Sequence, residues 1–243
     1  MQYQGGKSRI ARAIAAKIRE LHPTATEIWE PFCGGGAVTL ALAKVGFRVH
    51  ASDSHEDLIL MWQALMRGET EPFRDVNREE HAILKKAAPS ARRGFVRFGS
   101  SFGGDFNGGF AFRKQAAGKK AKHQPFQEAQ RFCMRLKEQA ALLSFVQRDY
   151  REIPDNVLAY LDPPYAGTYD YQGRAFDHNA FWQWVLQRSG STFISELQGP
   201  DDMQIVWRKQ HKSQMLSNTA LTTGRLKERE ERLYYKPAAS EKI

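Results

Sequence analysis

Short apolar segments alternate with helical periodicity along the first fifty residues, and a glycine-rich turn lies among them. Residues 27–32 and 47–52 have the composition of buried strands, whereas residues 37–43 form an apolar helical pattern that ends before Gly46. An amphipathic helix is predicted ahead of the first strand, with its apolar face at Ile10, Ala13, Ile14, Ile18 and Leu21. This order of elements predicts a Rossmann-like α/β fold.

The pattern changes in the middle of the chain. Helical periodicity continues from Asp57 to about Leu84, and residues 92–113 then interleave glycine with phenylalanine and arginine. A further helix is predicted from Phe126 to about Leu143, followed by a strand at residues 145–150. We therefore expect one main domain of residues 1–57 and 142–243, interrupted at residues 58–141 by a mainly helical and loop region.

Strands return in the last third of the chain. They are predicted at residues 157–161 and 192–196, with a helix between them that Asp177 caps. We expect His178 to make hydrogen bonds within its loop rather than to act in catalysis. A charged run from Arg225 to Arg232 precedes a last strand at Leu233–Tyr235. That run suits contact with a nucleic-acid backbone, and a solvated hairpin is an equally good interpretation.

The charge balance narrows the class of partner. The 243 residues contain 36 Lys and Arg against 27 Asp and Glu, and a net charge of +9 favours nucleic acid over an anionic membrane. The two cysteines, Cys33 and Cys133, form neither a metal-ligand spacing nor a disulfide framework. The N-terminus lacks the features of a signal peptide, and no apolar run approaches the roughly 20 residues that span a bilayer. We expect a cytoplasmic protein without a metal ion or a membrane partner.

One tetrapeptide, Asp162-Pro163-Pro164-Tyr165, follows the predicted strand at residues 157–161. Its prolines fix their own φ and push the residue before each towards extended conformations, so a carboxylate, rigid carbonyls and an aromatic ring are held together. Ligands bind at this end of strands in open α/β sheets. The arrangement suits a planar ring with an exocyclic amine, and the alternative is a proline turn with a half-buried tyrosine.

The turn Cys33-Gly34-Gly35-Gly36 and a later acid indicate a nucleoside cofactor. Asp53 follows Gly34 by 19 residues, the spacing at which an acid reaches ribose hydroxyls. Thr39 stands where dinucleotide enzymes have glycine, and Glu30 would repel a pyrophosphate. Because an acid at that place suits an ammonium and a sulfonium, S-adenosylmethionine fits better than NAD. The alternative is a packing turn with a surface aspartate.

The segment Gly5-Gly6-Lys7 precedes the first helix and has the features of an anion site, although a complete P-loop pattern is absent. Tyr3 lies just upstream, where its ring can flank a ligand. Lys7 has two open roles, cofactor binding or contact with a nearby phosphate, and a flexible loop is the alternative. Asp149 lies at the end of a second predicted strand.

Basic and aromatic residues are interleaved in the middle region. Phenylalanines offer stacking faces and arginines offer phosphate contacts, as in proteins that bind nucleic acids. For the lysines the alternative is a mobile, solvated loop. The candidate DNA contacts are Arg97, Arg113, Lys114, Lys119, Lys120 and Lys122.

Taken together, these motifs resemble the DNA adenine-N6 methyltransferases of bacteria and phages. Residues 3–7 are similar to the family's N-terminal cofactor motif, residues 30–36 to its Gly-rich motif, Asp53 to its ribose acid and residues 162–165 to its catalytic motif. The order of the motifs, with the insert ahead of the catalytic motif, matches the same group. Further segments are similar, so the resemblance covers most of the chain: residues 98–104, 108–111, 165–168, 176–178 and 231–235.

The resemblance implies an S-adenosylmethionine-dependent methyltransferase sheet with an inserted target-recognition region, acting on adenine N6 in double-stranded DNA. The adenine is expected to be flipped out, its amine hydrogens accepted by the Asp162 carboxylate and the Pro163 carbonyl, with Tyr165 stacked on its ring. The implied catalytic residues are Asp162, Pro163, Pro164 and Tyr165. The implied cofactor-binding residues are Tyr3, Gly5, Gly6, Lys7, Glu30, Pro31, Phe32, Gly34, Gly36, Asp53, Asp149 and Asp162.

The same tetrapeptide also suits other methyl acceptors that carry an exocyclic or amide nitrogen. Cytosine N4 is the nearest rival, and RNA adenine and a protein glutamine are more distant ones. A non-catalytic DNA-binding module on the same fold is an alternative from another class, against which the intact tetrapeptide and Gly-rich turn argue. We expect a monomer or weak dimer, in the bacterial host's cytoplasm if the protein is phage-encoded, with or without a partner nuclease of a restriction–modification pair.

Overall fold

The computed structural model describes residues 1–3, 5–113, 123–165, 176–201, 203–213 and 227–241. They divide into two compact units, Met1–Ile153 and Pro154–Ile243. The first unit contains α1 (Ala11–Leu21), β1 (Glu27–Glu30), α2 (Ala37–Lys44), β2 (Arg48–Asp53), α3 (Glu56–Met66), α4 (Arg78–Leu84), α5 (Ala91–Ser100), α6 (Pro125–Lys137) and β3 (Leu143–Gln147). The second contains β4 (Ala159–Leu161), α7 (His178–Gln187), β5 (Thr192–Glu196), β6 (Gln204–Ser213) and β7 (Lys227–Lys236).

The strands of the first unit are parallel, in the order β3-β2-β1. Ile28 of β1 lies opposite Val49 of β2, and Ala51 lies opposite Phe145 of β3. These four side chains are buried, as expected where helices cover parallel strands. Since parallel strands need crossover connections, α2 joins β1 to β2 and the longer middle region joins β2 to β3. The predicted α/β class is confirmed.

Helix α1 buries a different stripe from the predicted one. Ala11, Ile14, Ala15 and Ile18 are buried, at the spacing of one helix face. The predicted Ala13 is exposed because it lies on the opposite side, and Leu21, at the last position of the helix, is 40% exposed. Helix α2 begins at Ala37 as predicted, and Gly46 follows its end at φ +91°.

The two helices predicted for the middle region are longer than the helices in the structure. The first is interrupted, because α3 ends at Met66, Gly68 takes φ +82°, and α4 starts only where the Asn77 side chain accepts the Glu80 N–H at 2.8 Å. The other, α6, ends at Lys137 instead of near Leu143. Its predicted last turns are replaced by a short 3₁₀ turn at Ala140–Leu142, after which β3 pairs with β2.

Three of the six phenylalanines in residues 92–113 are core residues rather than stacking faces. Helix α5 occupies the start of this stretch, and its Phe95 and Phe98 are fully buried, while Phe106 is 5% exposed. Phe110 is half-buried, and Phe102 and Phe112 are 56% and 52% exposed, so the outward aromatic surface of this stretch is smaller than its composition predicts.

The second unit combines parallel and antiparallel pairing in the order β4-β5-β7-β6. Tyr160 of β4 lies opposite Phe193 of β5 in a parallel pair, and Ile194 lies opposite Tyr234 of the antiparallel β7. The predicted cap of α7 is confirmed, since the Asp177 side chain accepts the Ala180 N–H at 2.9 Å.

The charged run near the C-terminus lies in β7 from residue 227 onwards, and β7 pairs antiparallel with β6. This pairing supports the hairpin interpretation of the run, whose first residues lie outside the described ranges. In the described parts of the chain, no helix combines the length and the apolar character needed to cross a membrane.

Candidate active site

The Gly-rich turn follows β1 and opens α2. Gly34 and Gly36 take φ +46° and +73°, values that side-chain-bearing residues rarely adopt. A Cβ atom on Gly34 would lie 2.6 Å from Cε1 of Tyr3, and one on Gly35 would lie 2.9 Å from Cβ of the same residue. The Tyr3 side chain therefore lies directly against the turn, and glycine is required there both for backbone conformation and for space.

Asp53 ends β2 and is joined to the turn by hydrogen bonds. Its Oδ2 accepts the Gly34 N–H at 3.0 Å, and its Oδ1 accepts the His55 N–H at 3.0 Å. Burial raises the pKa of Asp53 to about 6 from its ordinary value of 3.8, although these N–H groups act in the opposite direction. The structure thus places the predicted ribose acid beside the predicted Gly-rich motif.

A second acid lies close to the turn. Glu30, the last residue of β1, is 1% exposed. Burial, followed by the charges of Asp53 and Glu30, raises the pKa of the Cys33 thiol well above its ordinary value, so Cys33 stays protonated near two carboxylates. The hydroxyl oxygen of Ser52 is buried and makes no hydrogen bond within the described residues.

The N-terminal motif forms a compact turn before α1. The Gly6 N–H bonds the Tyr3 carbonyl at 3.1 Å, and Gly5 takes φ +76°. Lys7 is 6% exposed, and its Nζ donates to the Gly5 carbonyl at 3.3 Å. The structure therefore places the Tyr3 side chain against the Gly-rich turn and the Lys7 ammonium beside the Gly5 carbonyl of its own turn.

Two aromatic residues near the turn were missed by the sequence analysis. Trp62 of α3 donates its Nε1–H to the Gly34 carbonyl at 3.1 Å. Tyr150 stacks on Phe32 with ring centroids 5.2 Å apart, and it follows Asp149, whose Oδ1 accepts from Arg151 Nε at 2.7 Å. The position of Tyr150 beside a predicted site acid was a usable signal, whereas nothing in the pattern around Trp62 distinguishes it from a core residue.

The tetrapeptide follows the buried strand β4 in the second unit. Leu161 and Pro163 are buried, and Asp162 and Tyr165 are partly exposed. The Tyr165 hydroxyl donates to Oε1 of Glu231, a β7 residue that is 4% exposed. Burial, Asp162 and Glu231 all raise the pKa of Tyr165, so its phenol stays protonated.

The candidate DNA contacts in the described residues already have protein partners. Arg97 donates to the Gly104 carbonyl at 3.2 Å and to Nε2 of His55 at 2.8 Å. Arg113 forms an ion pair with Glu128 on the surface. Four candidates lie outside the described residues: Lys114, Lys119, Lys120 and Lys122. Residues 166–171, predicted as a loop after the tetrapeptide, also lie outside them.

The residues of the first unit fit S-adenosylmethionine. Two buried acids, and a buried Ser52 hydroxyl that makes no hydrogen bond within the described residues, supply acceptors for ribose hydroxyls and for an ammonium beside the Gly-rich turn. A pyrophosphate would place negative charge beside Glu30 and Asp53. No group of three or more potential metal ligands is present in the part of the chain that the structure describes.

Among curated proteins none matches the chain. Two solved structures with low identity are the glycopeptide N-methyltransferase MtfA and the N-terminal domain of EvdMO1 with SAH bound. MtfA has 9% identity and TM-score 0.33, with 95% of this chain and 79% of that chain covered. EvdMO1 has 12% identity and TM-score 0.36, with 94% and 81% covered.

A family model for D12 class N6 adenine-specific DNA methyltransferases matches residues 3–150. The matched segment is more than half of the chain, and it contains the N-terminal turn, the Gly-rich turn, Asp53 and the middle region. It ends before Asp162, so the tetrapeptide extends the resemblance beyond the match. The chain belongs to the D12 class of N6 adenine-specific DNA methyltransferases, which transfer a methyl group from S-adenosylmethionine to adenine in DNA.

Proposed function

We propose that this enzyme methylates an adenine flipped out of double-stranded DNA, with the tetrapeptide Asp162-Pro163-Pro164-Tyr165 as its catalytic group. The observation that carries the proposal is the position of the tetrapeptide at the carboxyl end of buried β4, with the Tyr165 hydroxyl bonded to Glu231. A target amine inside a duplex is out of reach of such a group, and flipping removes that obstacle.

The tetrapeptide supplies what the adenine amine lacks. The N6 lone pair is delocalised into the ring, so the amine is a poor nucleophile. When the Asp162 carboxylate and the Pro163 carbonyl accept its two hydrogens, the lone pair becomes localised on nitrogen, and Asp162 stabilises the positive charge that develops there. S-adenosylmethionine supplies an electrophilic methyl group when bound. The Tyr165 ring stacks on the adenine, and Asp162 can take a proton after transfer.

The cofactor is held by residues of the first unit. Asp53 accepts the ribose hydroxyls, Glu30 binds the ammonium, and the glycines of the turn allow close approach of the backbone. The remaining members of the proposed site are Tyr3, Gly5, Gly6, Lys7, Pro31, Phe32, Gly34, Gly36 and Asp149. Of these, Lys7 has two alternative roles, cofactor binding or contact with a nearby phosphate, and its Nζ donates to the Gly5 carbonyl.

Cofactor affinity is expected to depend on the ionisation of Asp53. The carboxylate accepts two ribose hydroxyls and the protonated acid accepts them poorly. Because the pKa of Asp53 is about 6, the dissociation constant should rise by up to about tenfold per unit as the pH falls below 6. Calorimetric titration of S-adenosylmethionine between pH 5 and pH 8 measures this. Asp53→Asn should bind weakly and without that dependence.

Stability should change in the opposite direction over the same window. The pKa of Asp53 is higher in the folded chain than in the unfolded chain, so the folded state binds the proton more tightly. The contribution of Asp53 therefore favours folding below about pH 4 and is lost as the pH rises to about 6.

For the affinity prediction, a wild-type cofactor affinity that is flat from pH 5 to pH 7 would remove Asp53 from the cofactor site.

The middle region, proposed as a target-recognition insert at residues 58–141, is expected to bind DNA through basic side chains. Reversing the charge of Lys119, Lys120 and Lys122 to glutamate should weaken binding and make the plot of log K against log salt shallower by about two to three units. Fluorescence anisotropy with duplex DNA at several salt concentrations measures the slope. The contacts proposed with them are Arg97, Arg113 and Lys114.

A matched control reverses three exposed charges, one just before α1, one in α1 and one at the end of α2: Arg9, Arg12 and Lys44. This variant has the same net charge as the lysine variant, so a general charge effect would change both slopes equally. A slope lost only in the lysine variant supports the proposed contacts. An unchanged slope in the lysine variant would support a solvated loop.

We propose further that the enzyme is a cytoplasmic monomer or weak dimer.

Methyl-sensitive sequencing of DNA from cells that express the protein tests the proposed function as a whole. It reports the modified base, its position and its sequence context together. N6-methyladenine at a recurring site in duplex DNA is the expected result. N4-methylcytosine would favour the nearest rival acceptor, and the absence of modification with an intact, cofactor-binding protein would favour a non-catalytic module.

A further inference from the structure

We infer that Glu231 is a positioning residue for methyl transfer, because it fixes the ring of Tyr165 in the orientation that stacks on the target adenine. The inference rests on the proposed function of the tetrapeptide and adds to it a residue from a distant strand. Glu231 itself is not expected to touch the substrate, and its contribution passes through the Tyr165 hydroxyl.

The contact is made in a buried setting. Glu231 lies in β7, where it pairs with Lys209 of β6, and only 4% of the residue is exposed. Its Oε1 accepts the hydrogen of the Tyr165 hydroxyl. The adjacent residue, Arg232, pairs with Glu196 of β5, so the strand that carries Glu231 is hydrogen-bonded on both edges. An acceptor mounted on a strand in this way has little freedom to move.

Tyr165 is held at its backbone as well as at its hydroxyl. Two prolines precede it and restrict the chain that leads to it. The ring of His178, the first residue of α7, forms a hydrogen bond with the Tyr165 backbone. With the backbone held, the remaining freedom of Tyr165 is rotation of its side chain, and the bond from its hydroxyl to Glu231 removes that freedom.

The charges around the hydroxyl fix its role as a donor. Asp162 and Glu231 both raise the pKa of Tyr165, and burial raises it further, so the phenol remains protonated at neutral pH. A protonated phenol beside a carboxylate donates its hydrogen to it, and such charge-assisted bonds are the stronger kind. The ring is therefore neutral and oriented before DNA arrives, and the cost of ordering it is not incurred during base binding.

The test uses three variants: Tyr165→Phe, Glu231→Leu and the double variant. If Glu231 acts through the hydroxyl, each single change should lower the single-turnover rate about two- to tenfold, the effect of releasing one ordered side chain. The double variant should then be no slower than the slower single variant, because the second change removes nothing more. Glu231→Gln keeps an acceptor oxygen and should restore a rate within about twofold of wild type.

Rates are measured on genomic DNA with tritiated S-adenosylmethionine and are divided by the concentration of cofactor-binding sites, so unfolded protein is not counted. Glu230→Ala is the matched control, since this neighbouring acid pairs with Arg232 and should leave the rate unchanged. A double variant whose loss equals the product of the two single losses would overturn the inference. So would a Glu231→Leu rate equal to that of wild type.

Asp162→Asn in the same series separates the two levels of the argument. If Asp162→Asn methylates DNA at the wild-type rate, the proposed function of the tetrapeptide fails. If Asp162 is required but the rate losses of the Tyr165 and Glu231 variants multiply in the double variant, only the positioning role fails. Should Glu231→Leu fold poorly by itself, the double variant and Glu231→Gln still decide, because the first pairs two apolar groups and the second keeps the hydrogen bond.

Discussion

Asp162→Asn is expected to lower the rate of methyl transfer about 10²- to 10⁴-fold, the usual cost of removing a group that takes up charge or a proton in the transition state. The asparagine side chain keeps the size of aspartate and loses its negative charge. Cofactor affinity should change little if Asp162 acts chiefly on the amine. Single-turnover methyl transfer to DNA measures the rate, and calorimetric titration measures the affinity.

Asp177→Asn provides the control for this change. Asp177 caps α7 in the same unit, and asparagine is an equally good cap, so the same replacement should leave activity and stability unchanged. If Asp162→Asn keeps the wild-type rate, Asp162 is not the acceptor of the amine hydrogens. If it loses cofactor affinity and rate together, its main role lies in the cofactor site.

Gly94→Ala is expected to destabilise the first unit by about 3 kcal/mol or more, near the upper end for overpacked positions. The Cβ atom of an alanine at this position would lie 2.1 Å from the carbonyl oxygen of Asp57, so α3 and α5 would have to move apart. The affected atom is backbone, which has no rotamer to yield. Chemical denaturation monitored by tryptophan fluorescence measures the loss.

Gly99→Ala is the matched control in the same helix. Its Cβ would meet the Cβ of Ala129 at 3.2 Å, a contact that a small shift relieves. Both replacements gain about 1 kcal/mol of helix propensity. In Gly99→Ala this gain offsets the small shift, so that variant should be near neutral. In Gly94→Ala the clash with backbone outweighs the gain. Equal stability of the two variants would contradict the close packing of α3 against α5.

The cofactor half of the candidate site was largely predictable because its determinants are local. The spacing from Gly34 to Asp53 spans one strand–turn–helix–strand unit, and such a unit brings a turn and a strand end together in any parallel sheet. The structure places them in direct hydrogen-bonding contact. Glu30 follows from the same reasoning, since it ends the neighbouring strand.

The middle region was predicted less well because its glycines have a different purpose from the one their composition indicates. Gly94 and Gly99 lie inside α5, where they allow close packing against α3 and Ala129, and where propensity alone disfavours a helix. Once the stretch is helical, Phe95 and Phe98 face the core. The glycine-rich composition of the segment therefore did not indicate whether its phenylalanines are buried or exposed.

The role inferred for Glu231 had no local signal at all. It lies 66 residues after Tyr165, and its charged neighbours make it look like part of a solvated strand. The pairing of β7 between β5 and β6 buries the Glu231 side chain, which accepts the hydrogen of the tetrapeptide's tyrosine. Contacts of this kind depend on tertiary structure, which no periodicity in one strand encodes.

The central claim, that the Asp162 tetrapeptide directs methylation to adenine N6, is tested most directly by nucleoside analysis. Duplex DNA is incubated with tritiated S-adenosylmethionine and either wild-type enzyme or Asp162→Asn, then digested and separated. We predict that the label elutes with N6-methyl-2′-deoxyadenosine for wild type and falls at least about a hundredfold for the variant. Label in N4-methyl-2′-deoxycytidine, or equal label with both proteins, would contradict the account.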